Sequence, residues 1–174
     1  MNPENHNPSA ELEFRPAQIN DVPAILKIVN YYIEHSNSIY EETPRILEDQ
    51  LQWFLQLQKQ NFPVIVAVSD TQVVGYASFQ TFRTKFGYRF SAEHSVYVSP
   101  GFGGCGIGFN LMQLLINEAI DRGIHVLIGG IDSQNTDSIK FHQRLGFQEV
   151  GRMREVGKKH DQWLTLVWMQ KILK

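Results

Sequence analysis

Residues 101–108 read Gly-Phe-Gly-Gly-Cys-Gly-Ile-Gly, five glycines in eight positions, directly behind a β-branched run and directly ahead of an apolar one. A strand that turns through such a loop into a helix presents free backbone N–H groups at the positive end of the helix dipole. That arrangement takes a phosphate or pyrophosphate. A tight turn at positive φ also uses glycine, but a single turn does not need five. Ile107, Leu111, Leu114, Leu115 and Ile120, with Asn110, Gln113, Asn117 and Asp121 as a polar stripe, make the following segment an amphipathic helix that Gly123 ends.

The rest of the chain supplies alternating elements on either side of that loop. Leu12, Phe14 and Pro16 predict a first strand, and Asn20 or Asp21 ahead of Pro23 starts a helix whose apolar face is Ile25, Ile28, Val29, Tyr32 and Ile33. Thr43 as a cap with Pro44 behind it predicts a second helix running to about Gln58. Val64 to Val68 and Val73 to Phe79, joined across Asp70-Thr71-Gln72, predict an antiparallel hairpin. Strands are expected over Ala92–Val98, Ile124–Ile131, Phe147–Val156 and Gln162–Ile172, with a helix over Asn135–Leu145. This order predicts an α/β chain with a mixed sheet and helices on both faces. Residues 1–11 read as a frayed tail and 12–174 as one domain.

Composition narrows the function classes. A net charge of −2 makes nucleic acid and anionic membrane poor partners, and no stretch has the length or apolarity of a membrane span. The N-terminus carries no signal-like run, and the one cysteine, Cys105, excludes an internal disulfide and fits a reducing compartment. A cytoplasmic protein is expected. No H-E-x-x-H or C-x-x-C spacing suggests a metal.

Three motifs compete for the glycine loop. A P-loop needs Lys-Ser or Lys-Thr, which is absent. Gly101-x-Gly103-x-x-Gly106 matches a dinucleotide fingerprint, with Asp132 ending the next strand, but only one strand-helix-strand unit follows where two mononucleotide halves are required. A nucleophile elbow around Cys105 needs glycine at 107, where Ile107 stands.

The ordered set Val96-Tyr97-Val98-Ser99-Pro100, Gly104-Cys105-Gly106-Ile107-Gly108, Asn135-Thr136-Asp137-Ser138 and Leu145-Gly146-Phe147 resembles the GNAT superfamily of N-acetyltransferases, and within it the phosphinothricin acetyltransferase group. The resemblance implies a GNAT-like fold and acetyl-CoA as co-substrate, with no metal. Its pyrophosphate would lie on the backbone of Gly103, Gly104, Cys105, Gly106, Ile107 and Gly108. Gly103 stands where the family pattern has Gln or Arg. The pantetheine arm would pair with Val96, Tyr97 and Val98, near Asn135 and Ser138. Cys105 would be a bystander, because family members transfer the acetyl group directly in a ternary complex. A homodimer is also implied.

Acetyl transfer to an amine needs a neutral nitrogen, so a base is required. Glu93, two positions before the Ser95-Val96-Tyr97-Val98 strand, matches the family's proposed general base; by itself it reads equally as a strand-end carboxylate in an ion pair. His142 stands four residues before Gly146-Phe147, where many members place a tyrosine acid and the phosphinothricin group a histidine. It shares a helix face with Asn135 and Ser138 and is either catalytic, substrate-orienting or structural. His94 alternates to the strand face opposite Glu93. Arg83, Lys85 and Tyr88, with Tyr40, would recognise an anionic amino-acid-like acceptor; alone they read as a solvated edge with an aromatic face. The expected reaction is acetylation of the α-amine of a small amino-acid analogue such as phosphinothricin, methionine sulfoximine or methionine sulfone. A polyamine or protein N-terminus as acceptor, or a non-catalytic binder, are the alternatives.

Overall fold

Strands form where the β-branched runs lie. A computed structural model describes residues 12–174; the expected tail over 1–11 lies outside the described residues. β1 (Leu12–Pro16), β2 (Val64–Ser69), β3 (Gln72–Thr81), β4 (Ser91–Val98), β5 (Val126–Asp132), β6 (Gln148–Lys159) and β7 (Gln162–Ile172) build one sheet in the order β1-β2-β3-β4-β5-β7-β6. β2 is buried along its full length and β3 from Val73 to Phe79, as a central hairpin covered on both faces must be. Its turn residues Asp70 and Thr71 both take positive φ, 45° and 74°, the geometry of a two-residue hairpin turn whose twist matches the strands.

Four helices cover the sheet: α1 (Val22–His35), α2 (Leu47–Lys59), α3 (Ile107–Asp121) and α4 (Thr136–Arg144). α1 and α2 bury Ile25, Val29, Ile33, Phe54 and Leu57 against Val64, Val66 and Tyr76. On the other face α3 buries Ile107, Leu111, Met112 and Leu115 against Ala77, Phe79, Ala92 and Leu127. The expected mixed sheet with helices on both faces is what the chain forms. Among the described residues no helix is long and apolar enough to cross a membrane.

Three boundaries differ from expectation. α2 starts at Leu47, not at Thr43-Pro44, because the Asn30 amide of α1 captures both backbone groups of Arg45. Asn30 Nδ2 donates to the Arg45 carbonyl at 2.9 Å, and the Arg45 N–H donates to Asn30 Oδ1 at 2.8 Å, which holds the segment extended until Ile46. β5 starts at Val126, since Ile124 N–H returns to the Ala119 carbonyl and closes α3 behind Gly123, whose φ is 71°. β6 runs past Val156 to Lys159 through an irregularity between Met153 and Gly157, with Glu155 at φ 51°.

The feature that positions the site is the one parallel pairing among the described residues. β4 and β5 are in register from Ser91↔Val126 to Glu93↔Ile128 and no further, although β4 continues to Val98 and β5 to Asp132. Past Glu93 the two strands part, and among the described residues the β4 edge facing β5 has no strand partner.

Candidate active site

A cleft of about 880 Å³ occupies the gap between the parted strands. Its lining includes Gly103, Gly104, Gly106, Ile107 and Gly108 of the glycine loop and the start of α3, Val96, Val98, Asn135, Ser138 and Phe141, and Tyr32, Ser38, Arg45, Trp53, Tyr76 and Tyr97. Glu93, His94 and His142 line it where β4 and β5 separate.

The glycine loop is open to a ligand. Gly104 and Gly106 have φ of 81° and 76°, and a Cβ built at Gly103, Gly104 or Gly106 meets nothing within 4 Å. Gly106 is the N-cap of α3 with no side chain to satisfy the first N–H groups of the helix, so those donors face the loop's open side. Residues of this type at a helix start fit a pyrophosphate, and the unpaired β4 edge fits an extended amide-bearing chain. Cys105 is exposed and does not line the cleft. Gly106→Val forces a β-branched residue into a left-handed conformation at the N-cap. It is expected to raise the KM for acetyl-CoA about tenfold or more, the equivalent of ~1–2 kcal/mol of strain, with a smaller change in acceptor KM. Steady-state kinetics with each substrate varied checks it; equal effects on both would contradict the loop's assignment.

Glu93 is half-buried, and among the described residues its carboxylate joins no hydrogen bond or ion pair. Burial raises its pKa above the ordinary carboxylate range, with no partner to pull it back. The salt-bridged reading of Glu93 is therefore not the arrangement seen. A Cβ at Gly130 would stand 3.3 Å from Leu166 Cδ1, 3.5 Å from Trp168 Cζ3 and 3.6 Å from Glu93 Oε1, so these three groups converge over that glycine.

Asn135 caps α4 by accepting from Ser138 N–H at 3.1 Å, and its Nδ2 donates to Ser38 Oγ at 3.2 Å. Its amide thus ties α4 to the loop after α1. Tyr97 and Tyr76 stack at 5.6 Å between centroids, and Tyr32 donates its hydroxyl to the Val98 carbonyl at 2.8 Å. Arg45, paired with Glu41, also lines the cleft.

The four residues expected at the acceptor do not line the cleft directly. Tyr40 donates to Asp132 Oδ2 at 3.0 Å, and it is Asp132 that faces the space. Arg83, Lys85 and Tyr88 are exposed on the segment before β4. The Arg83 guanidinium lies 5.2 Å from the Phe82 ring centre and 6.0 Å from that of Tyr88. Phe82 in turn meets Trp168 edge-on at 5.7 Å, and Trp168 and Glu93 both approach Gly130.

His94 is a residue the sequence did not place in the site. It is buried, lines the cleft, and brings Nε2 to 2.9 Å from His142 Nε2. The sequence signal is the Gly129-Gly130 pair: a Cβ at Gly129 would stand 2.8 Å from His94 Cε1, so only glycine leaves room for this imidazole.

A parted β4/β5 pair with a glycine-rich helix start beside it defines an acetyltransferase cleft, and the chain belongs to the GNAT family: the sequence profile of the Acetyltransferase (GNAT) family matches residues 27–147. The L-methionine sulfoximine/L-methionine sulfone acetyltransferase of Pseudomonas paraeruginosa is 42% identical over 158 residues, 90% of this chain and 91% of that one. The phosphinothricin N-acetyltransferase of Streptomyces coelicolor is 30% identical, covering 95% of this chain and 98% of that one. Among solved structures, the ribosomal-protein-alanine N-acetyltransferase of Brucella melitensis superposes with a TM-score of 0.91 at 45% identity over 92% of this chain and 99% of its own. The yncA protein of Salmonella typhimurium, solved with its cofactor acetyl-CoA, gives 0.90 at 39% identity over 94% of each chain. The protein is an acyltransferase of this family.

Proposed function

We propose that the protein transfers the acetyl group of acetyl-CoA to the α-amine of a small amino-acid analogue such as methionine sulfoximine, methionine sulfone or phosphinothricin. The observation that carries this reading is the unpaired, half-buried Glu93 carboxylate at the point where β4 and β5 part, in a cleft that the glycine loop also lines. Glu93 takes a proton from the amine as the nitrogen attacks the thioester carbonyl. The new N–C bond forms, the C–S bond breaks, and the electron pair leaves on sulfur. Backbone N–H groups of 103–108 hold the pyrophosphate of acetyl-CoA, and the free β4 edge at Val96, Tyr97 and Val98 holds its pantetheine arm, with Ser138 and Asn135 beside it. His142 orients the reacting groups from the cleft floor.

On the acceptor side Arg83 and Lys85, exposed with Tyr88 on the segment before β4, attract an anionic amine, and Tyr40 acts from outside the cleft by holding Asp132 at its wall. A protein N-terminus is the second reading, favoured by the name and close superposition of the Brucella melitensis protein. Release of free thiol from acetyl-CoA, measured across methionine sulfoximine, methionine sulfone, phosphinothricin, spermidine and an alanine-starting peptide, separates these. Release with the amino-acid analogues and not with spermidine or peptide is expected; release with the peptide alone would replace the first reading by the second. The homodimer implied by family resemblance fits the apolar side chains exposed on β6 and β7, among them Val150, Met153 and Trp163. Light scattering at twice the chain mass is the expected result. A cytoplasmic setting completes the reading.

A further inference from the structure

We propose that His94 is a positioning residue of the transfer reaction, donating its Nε2–H to His142 Nε2 and so fixing His142 in one tautomer, with Nδ1–H given to the Ser138 carbonyl. The inference rests on the acetyltransferase reading for its consequence but on geometry for its content. His142 Nδ1 lies 2.7 Å from the Ser138 carbonyl oxygen. A carbonyl only accepts, so the proton of a neutral His142 is on Nδ1. The 2.9 Å contact between the two Nε2 atoms then needs a proton that His142 does not have. His94 supplies it from Nε2; its Nδ1 is buried with no partner at hydrogen-bond geometry among the described residues, and the Ile128 carbonyl of β5 is the one backbone acceptor that acts on the His94 ring.

The doubly protonated alternative would place a cation among buried rings. His94 is 6% and His142 4% exposed, and both pack against Phe147, His94 tilted at 5.0 Å and His142 edge-on at 5.3 Å between ring centres. Burial holds both pKa values below the ordinary imidazole range, and for His94 the neighbouring ring adds to the effect. Ionisable groups of the surrounding elements are otherwise engaged or turned away. Glu93 precedes His94 on β4 and faces Gly130; Asp132 of β5 holds Tyr40; Asp137 and Arg144 of α4 line the cleft; Lys171 of β7 donates to the Leu145 carbonyl. None makes a hydrogen bond or ion pair with either imidazole among the described residues.

With both ring nitrogens committed, His142 has no proton to give and no lone pair to take one. It serves the cleft as a rigid neutral surface, and Glu93 is left as the group whose titration the reaction reads. The residue that makes this so is His94, with Gly129 leaving it room.

Ring-nitrogen NMR on the full chain with labelled histidine tests the proposal directly. The expected result is His142 as the Nδ1–H tautomer and His94 as the Nε2–H tautomer, both neutral at pH 7. In His94→Phe, His142 Nε2 loses its donor, so its ring-nitrogen shifts move and the Nε2–H tautomer becomes populated. The kcat then falls on the order of tenfold, with acetyl-CoA KM little changed, and His94→Gln, which keeps an N–H donor, recovers most of it. A wild-type His142 carrying its proton on Nε2 would overturn the proposal whether or not the variants fold. So would a His94→Phe protein with an unaltered His142 tautomer. Absence of turnover with every amine tested would sink the functional reading and leave the tautomer result standing.

Discussion

Glu93→Gln is expected to lower kcat at pH 7 by about 10²–10⁴-fold, the usual contribution of a positioned general base, while changing the acetyl-CoA KM little. The carboxylate is isosteric with the amide, so the substitution leaves packing over Gly130 intact and removes only the capacity to take a proton. The pH dependence follows from the direction of the shift. Burial raises the Glu93 pKa, so the carboxyl stays protonated to a higher pH than an exposed glutamate, and the base form is lost as pH falls through that raised value. Wild-type kcat/KM therefore rises with pH along an acid limb displaced toward neutrality, and Glu93→Gln flattens that limb. A variant that keeps the limb, or keeps wild-type kcat, would take Glu93 out of the mechanism.

Lys159→Met is expected to be the largest loss of stability from a single side chain outside the hydrophobic core. Lys159 is 1% exposed, and its ammonium donates to the carbonyls of Ile33, Ser36 and Ile39 at 2.6, 2.7 and 2.9 Å. These oxygens close the C-terminal end of α1 and shape the loop that carries Ser38 to the cleft, so one buried cation from the β6–β7 turn anchors that wall of the cleft. Methionine fills the same space and donates nothing. Three buried acceptors lose a charged donor, at a cost of about 3 kcal/mol, or a Tm lower by roughly 6–12 °C for a domain of this size. The acceptor KM should rise several-fold, with acetyl-CoA KM near wild type, because none of the three carbonyls belongs to the glycine loop. Thermal unfolding and steady-state kinetics check both halves. A Tm within about 2 °C of wild type would mean that water replaces the ammonium at those carbonyls.

What was legible in the sequence was the part written locally. The hairpin turn at Asp70-Thr71 and the glycine loop into α3 each depend on residues within a few positions of one another, and each lies where its residues predict; α4 forms within the expected Asn135–Leu145 segment, with Asn135 as its cap. The start of α2 was not legible, because the competitor for Arg45 is Asn30, fifteen residues earlier, and Thr43-Pro44 carries a helix-start signal that this contact overrides. The His94–His142 pair joins residues 48 apart in sequence and exists only because β5 offers Gly129 opposite them. Strand alternation correctly put His94 on the other side of β4 from Glu93, but the parting of β4 from β5 lets both sides open on one cleft. The cationic segment at Arg83 and Lys85 stood out by its composition, but the fold leaves it exposed before β4 and outside the cleft lining, packed through Phe82 against Trp168 of β7.

In the proposed reaction acetyl donor and amine meet at Glu93 in one cleft, with no covalent stop on the protein. The measurement that addresses this most directly is the initial-velocity pattern with acetyl-CoA and methionine sulfone both varied, together with the mass of the protein after incubation with acetyl-CoA alone. Intersecting double-reciprocal lines and an unmodified chain are predicted. Parallel lines with an acetyl group carried on Cys105 would contradict it.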